Sequence, residues 1–246
     1  LRTASGTGCG GAPAQPASSA AASTAQTPFV VLARQQTAGR GRLGRQWHSE
    51  DNGNLYATFA FRPKVSPARL STFTLWMGVN LCACINTFCR ISAKVKWPND
   101  LHINGKKAAG ILTEARMDAD QTRDLILGIG LNINGDPESF PPELRPIATS
   151  LQQATGQPID ANRLTATLIG RVALAYQRFV EGDHRKELKE MWVEFDALRN
   201  HEVSLLQGDA RISGIARGID AHGGLLLERP DGSHYHARAG EVTLAK

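Results

Sequence analysis

Residues 39–47 read Gly39-Arg40-Gly41-Arg42-Leu43-Gly44-Arg45-Gln46-Trp47, a glycine-rich loop whose surroundings exclude the two nucleotide folds that its spacing invites. G-x-G-x-x-G marks a dinucleotide site only when a helix opens at the third glycine and points its free amides at a pyrophosphate. Here Arg45 to Asn54 is too polar and too rich in turn residues for an amphipathic helix, and Leu55 to Phe61 then reads as a strand. A P-loop is excluded as well, because Gly-Lys-Ser/Thr is absent. What remains is a connection carrying three guanidinium groups. Arg40, Arg42 and Arg45 repel one another until an anion arrives, and the glycines free the backbone, so the loop is expected to be mobile alone and to order on a phosphate. Taken alone, it reads equally well as a basic loop that holds phosphates without reading sequence.

A second segment narrows the choice. Lys96-Trp97-Pro98-Asn99-Asp100 closes a short apolar run, and Pro98 removes a ladder donor. Leu101 to Ile103, Asn104-Gly105 and Lys106 to Leu112 then form a hairpin signature, since Asn-Gly accepts the positive φ angles of a type I′ turn. Lys96 therefore sits on a stiff element. A surface lysine beside a structural turn is the commoner meaning of such a pattern in proteins at large. Against it, Gly110-Ile111-Leu112 and Gly128-Ile129-Gly130-Leu131-Asn132 offer small-residue surfaces where a ligand could lie on backbone. Loop and strand end together suggest chemistry on a phosphate-activated acid.

With these motifs the chain resembles the biotin protein ligases, which attach biotin to a lysine of carboxylase carrier domains. Gln36 to Trp47 is similar to that family's biotin and adenylate loop, Lys96 to Asp100 to its second signature, and Ala109 to Glu114 to its third; the similarity runs from about Phe29 to the C-terminus. The resemblance implies an α+β fold: a mixed-sheet catalytic domain of the biotin/lipoate protein ligase type, over residues 28–198, with a small SH3-like β-barrel over 199–246. It implies a biotin and biotinyl-AMP pocket lined by Gln36, Gly39, Arg40, Gly41, Arg42, Lys96, Gly110 and Ile111. Trp47, Gly130 and Asn132 would lie near the nucleotide. Lys96, Arg42 and Asp100 are the expected catalytic residues.

The chemistry follows from an unactivated carboxylate, which does not form amides usefully in water. ATP converts it to an acyl phosphate anhydride, and a carrier lysine then displaces AMP. Lys96 and Arg42 would stabilise charge on the α-phosphate. Asp100 would orient the amine or take its proton, unless it is only the turn residue. Mg²⁺ is expected to ride on the ATP phosphates and not in a protein cage. The expected partner is the biotin carboxyl carrier protein of acetyl-CoA carboxylase or a similar carboxylase; a homodimer is left open. A lipoate ligase, or a relative that binds biotinyl-AMP with impaired catalysis, remains the alternative.

Elsewhere the sequence is less specific. The formal charge of +5 is modest, and no acidic residue precedes Glu50, which gathers positive potential near the proposed anion site. Cys82, Cys84 and Cys89 fall in one expected helix, Pro67 to Arg90, with Ser66 as its cap, and read as core thiols with no metal set. Leu164 to Val180 and His184 to Leu198 read as amphipathic helices. Asp124 to Leu131 alternates between buried strand and glycine turn. Beyond Asn200 come short strands separated by glycine and aspartate turns, the texture of a small barrel. His222, His234 and His236 are turn and strand-surface residues.

Residues 1–27 are nearly all Ala, Ser, Gly, Thr and Pro, too poor in apolar side chains to offset their ordering entropy. They argue against a winged-helix DNA-binding module. They hold neither a secretory segment nor a membrane span, which, with no spanning run elsewhere, points to a cytoplasmic protein without membrane contact. The family places a Ser-Thr-Asn segment and a helix before the strand at Phe29. Here Ser23-Thr24 runs into Ala25, so an upstream frameshift or wrong start, and weak biotin binding, are expected.

Overall fold

Alternating apolar runs and turn residues set the order of elements. The computed structural model describes residues 27–49 and 53–244; expectations for the segment before Thr27 lie outside the described residues. The chain divides into two units, one holding the chain up to Pro67 with Ala108–Thr165, the other Ala68–Lys107 with Ala166–Lys246.

In the first unit, β1 (Phe29–Ala33), β2 (Leu55–Phe61), β6 (Thr122–Leu131) and β5 (Lys106–Met117) lie side by side in the order β1-β2-β6-β5, all antiparallel. β2 is buried at every position but Thr58, as its mostly apolar run fits a strand covered on both faces. The register sets Leu55 against Leu131 and Gly110 against Gly130. β6 continues as strand through Gly128 and Gly130, where a glycine turn is expected. Gly130 serves packing against Trp47. Past β6, the Asn54 carboxamide oxygen accepts the amides of Ile133 (2.8 Å) and Gly135 (3.0 Å). α2 (Leu151–Thr155) then starts where the Ser150 hydroxyl accepts the Gln153 amide.

The second unit is built on α1 (Phe73–Cys89). Ser66 does not cap it. Pro67 instead opens a 3₁₀ turn over Pro67–Thr72, and the α-helix begins after Thr72 without a side-chain cap. Everything from Leu75 to Cys82 is buried, so α1 is covered almost all round. Pro67–Cys89 is long and apolar enough to cross a bilayer by length and composition, contrary to the sequence reading, yet 67% of its apolar window is buried inside the protein. Polar groups within it are satisfied by the packing: the Trp76 indole donates to Ala175 O at 2.8 Å, and the Asn80 amide to Trp76 O.

α3 (Ala161–Glu181) and α4 (His184–Phe195) match the two expected helices, though α4 stops at Asp196, whose carboxylate takes the Trp192 indole and the Leu198 amide. Thr72 Oγ1 meets the buried His184 Nε2 at 2.9 Å, and Phe73 packs edge-on against Phe179 with ring centroids 4.8 Å apart. β3 (Ala93–Lys96) and β4 (Asp100–Ile103) form an antiparallel pair. The last five strands, β7 (Glu202–Gln207), β8 (Ala210–Ile219), β9 (Leu225–Glu228), β10 (His234–Ala237) and β11 (Glu241–Leu244), make an antiparallel sheet ordered β10-β9-β8-β7-β11. The Trp97 indole donates to Gly223 O at 3.0 Å and ties the β3–β4 pair to a turn of that sheet.

Candidate functional site

Each unit holds one part of the expected site. In the first, the arginine loop is folded on itself. Gly41 N donates to Arg45 O (2.6 Å), Arg45 N to Arg42 O (3.1 Å) and Trp47 N to Gly39 O (2.9 Å), and Arg40 bridges Gln46 across the hairpin. Leu43 and Gly44 take positive φ, 55° and 74°, to make the tip. The expected free loop is thus a closed turn. Glycine is required at 39, because a Cβ there would stand 2.6 Å from Trp47 O. Gln36 N donates to Ser49 Oγ at 2.8 Å, fixing the loop base. Arg40 lies 3.5 Å from Glu114 on β5, a half-exposed pair of small energetic worth.

Trp47 is placed by the strand behind it. A Cβ on Gly130 would lie 2.5 Å from Trp47 Cε2, so the indole rests on bare backbone. Gly110 is the register partner of Gly130, and the two put small residues side by side near the loop. Ile111 points the other way and is buried. Asn132 is also buried, with its amide donating to Thr149 O at 3.0 Å and its backbone N–H to Ala108 O. Its side chain therefore holds the chain before α2.

In the second unit, Lys96 and Asp100 are register partners on β3 and β4. Asn104 (φ 50°) and Gly105 (φ 78°) form the expected turn into β5. That turn brings in a residue that the sequence reading missed: Lys107 Nζ sits 2.8 Å from Asp100 Oδ1. The available signal was the two-residue Asn-Gly loop, which sets Lys107 beside β4. Burial lowers the Lys96 pKa, with Lys107 adding to the effect and Asp100 and Glu241 opposing it. His102, two residues from Asp100 on the same face, is driven down to about 4, first by burial and then by Lys96. Its Nδ1 is 3.1 Å from Gly105 O, so in the neutral ring Nδ1–H donates and Nε2 is the acceptor. Lysine ammonium groups and one carboxylate on a rigid strand pair can bind a phosphate-bearing acyl group and hold an amine nearby.

Residues 16–132 match the biotin/lipoate A/B protein ligase family, and residues 200–244 match the biotin protein ligase C-terminal domain. The chain is 36% identical over 207 residues to the bifunctional ligase/repressor BirA of Bacillus subtilis, covering 82% of this chain but 62% of that protein. It is 32% identical to the biotin–[acetyl-CoA-carboxylase] ligase of Paracoccus denitrificans, over 82% of this chain and 85% of that one. The fold is similar to that of the biotin protein ligase from Aquifex aeolicus solved with biotin and ATP, with a TM-score of 0.78, 28% identity, and 93% and 94% of the two chains covered. The chain belongs to the biotin protein ligase family.

Proposed function

We propose that the chain ligates biotin to a lysine of a carboxylase carrier domain, consuming ATP through biotinyl-5′-AMP. The observation that carries this reading is the likeness, across nearly the whole chain, to an Aquifex structure that holds both biotin and ATP. Residues 28–198 would form the catalytic domain and 199–246 the C-terminal domain, a division that the family match over 200–244 supports. In the first step the biotin carboxylate attacks the α-phosphorus and pyrophosphate leaves. Lys96, Arg42 and the added Lys107 would face the charge that builds on the α-phosphate. Gln36 and the backbone near Gly110 would meet the ureido ring, while Gly39, Arg40 and Gly41 close over the adenylate and Trp47, Gly130 and Asn132 border the nucleotide. In the second step a neutral amine attacks the acyl carbon and AMP departs with the bonding electrons of the anhydride oxygen. Asp100 would orient that amine, sharing its charge between it and Lys107. Mg²⁺ would be held through ATP oxygens and water.

Biotin-dependent exchange between ATP and pyrophosphate tests the reading. Exchange with biotin and little with lipoate is expected; equal rates with both acids would reject the assigned substrate.

A further inference from the structure

A cavity of about 370 Å³ opens in the second unit beside Lys96, between the β3–β4 pair and the last strand of the C-terminal sheet. Lys94, Lys96 and His102 form one wall, and Leu198, Thr243 and Leu244 the other. Lys94 opposes His102 and Lys96 opposes Asp100 in the antiparallel register, so all four side chains share one face. Not every charge of this face is paired at contact distance. Asp100 is paired with Lys107, and Glu241 acts on Lys96. The buried Asp196 carboxylate accepts from Trp192 and Leu198 and acts on Lys94 from beyond ion-pair distance. Lys94 is exposed and makes no ion pair among the described residues. The wall across from it is apolar, with Leu244 46% exposed.

An acceptor lysine approaching Lys96 along this cleft passes the exposed Lys94 ammonium, which carries its own sign. Such an approach is disfavoured unless the same segment carries negative charge. We propose that the cleft seats the peptide segment flanking the acceptor lysine, with an acidic side chain of that segment paired to Lys94 and an apolar neighbour lying over Leu244. The proposal rests on the ligase reading above and adds the site and chemistry of partner recognition to it. His102 suits this use, since a neutral ring with a free Nε2 accepts a hydrogen bond from an incoming ammonium without repelling it.

The test is Lys94→Glu in the full chain, with Lys94→Gln beside it. Three rates are measured: biotin-dependent pyrophosphate exchange, capture of the adenylate by hydroxylamine, and biotin transfer to the carrier domain of an acetyl-CoA carboxylase. Exchange and hydroxylamine capture should stay unchanged, while KM for the carrier rises about tenfold with Glu and less with Gln. A carrier whose acidic residues near the lysine are exchanged for lysine should regain affinity for the Lys94→Glu chain. An unchanged KM would overturn the inference, as would a parallel fall in exchange, which would place the cleft in the ATP site. A wild-type chain without biotin-dependent exchange would instead remove the ligase reading, and this inference with it.

Discussion

Gly130 and Trp47 decide more about the first unit than any charged residue does. A Cβ at 130 meets the indole at 2.5 Å, whereas one at Gly128 meets Leu112 at an ordinary 3.6 Å. Gly130→Ala should therefore displace Trp47 and cost about 1 to 3 kcal/mol through overpacking. Gly128→Ala should cost clearly less. Tryptophan emission and thermal melts of both variants check this, and equal effects would show that the contact does not govern the indole. At the second motif, Lys96→Ala should slow adenylate formation at least about tenfold, since comparable preorganised charge contacts contribute about 2.7 to 4 kcal/mol. Pyrophosphate exchange reads it directly. Arg42→Gly should act on retention instead, letting biotinyl-AMP escape and label lysines at random. If a filtration assay finds the intermediate held as tightly as before, Arg42 has no clamping role.

The elements divide by how local their causes are. Asn104-Gly105 was legible because positive φ at two successive residues is a property of those residues alone. Gly105→Ala should cost about 1 to 2 kcal/mol of backbone strain with no steric clash, as nothing lies within 4 Å of its Cβ position. A melt shift far larger than that would mean the turn carries tertiary load. α3 and α4 were legible from their apolar stripes, and β2 from its mostly apolar run. The start of α1 was not, because Ser66 looks like a cap until Pro67 diverts the chain into a 3₁₀ turn. β6 differs at its end for another reason: Gly130 marks close packing against Trp47, distant in sequence, and a glycine reports that only once the partner is known. Lys107 shows the same limit within the site. Its pairing with Asp100 follows from the register of the Asn104-Gly105 hairpin, which has to be carried through strand by strand before the two side chains meet.

At the scale of the molecule, two histidines make stability depend on pH. His184 is fully buried, with burial and then Arg69 and Arg185 holding its pKa down at about 4, and His102 is likewise lowered to about 4. Both values lie below the ordinary 6.5, so between these limits the unfolded chain binds more protons than the folded one. Their contribution is complete above the unfolded value, falls as the pH drops towards about 4, and levels off below it. Thermal midpoints should decline from pH 7 to pH 5, and His184→Gln, which keeps a partner for Thr72, should flatten that decline. An unaltered slope would place the acid sensitivity elsewhere.

The two units are threaded through one another in sequence, since the chain passes between them after Pro67, after Lys107 and after Thr165. A ribosome therefore delivers β2 long before the strand β6 that it pairs with, and α1 long before Ala175, which accepts its indole. The first unit cannot close until Thr165 has emerged, and the second waits for the C-terminus. Folding during synthesis must hold long apolar segments open, and the entropy of closing those loops slows their pairing. No single cut in the chain separates the two units, so fragments that each held one whole unit would have to be built from more than one stretch of sequence.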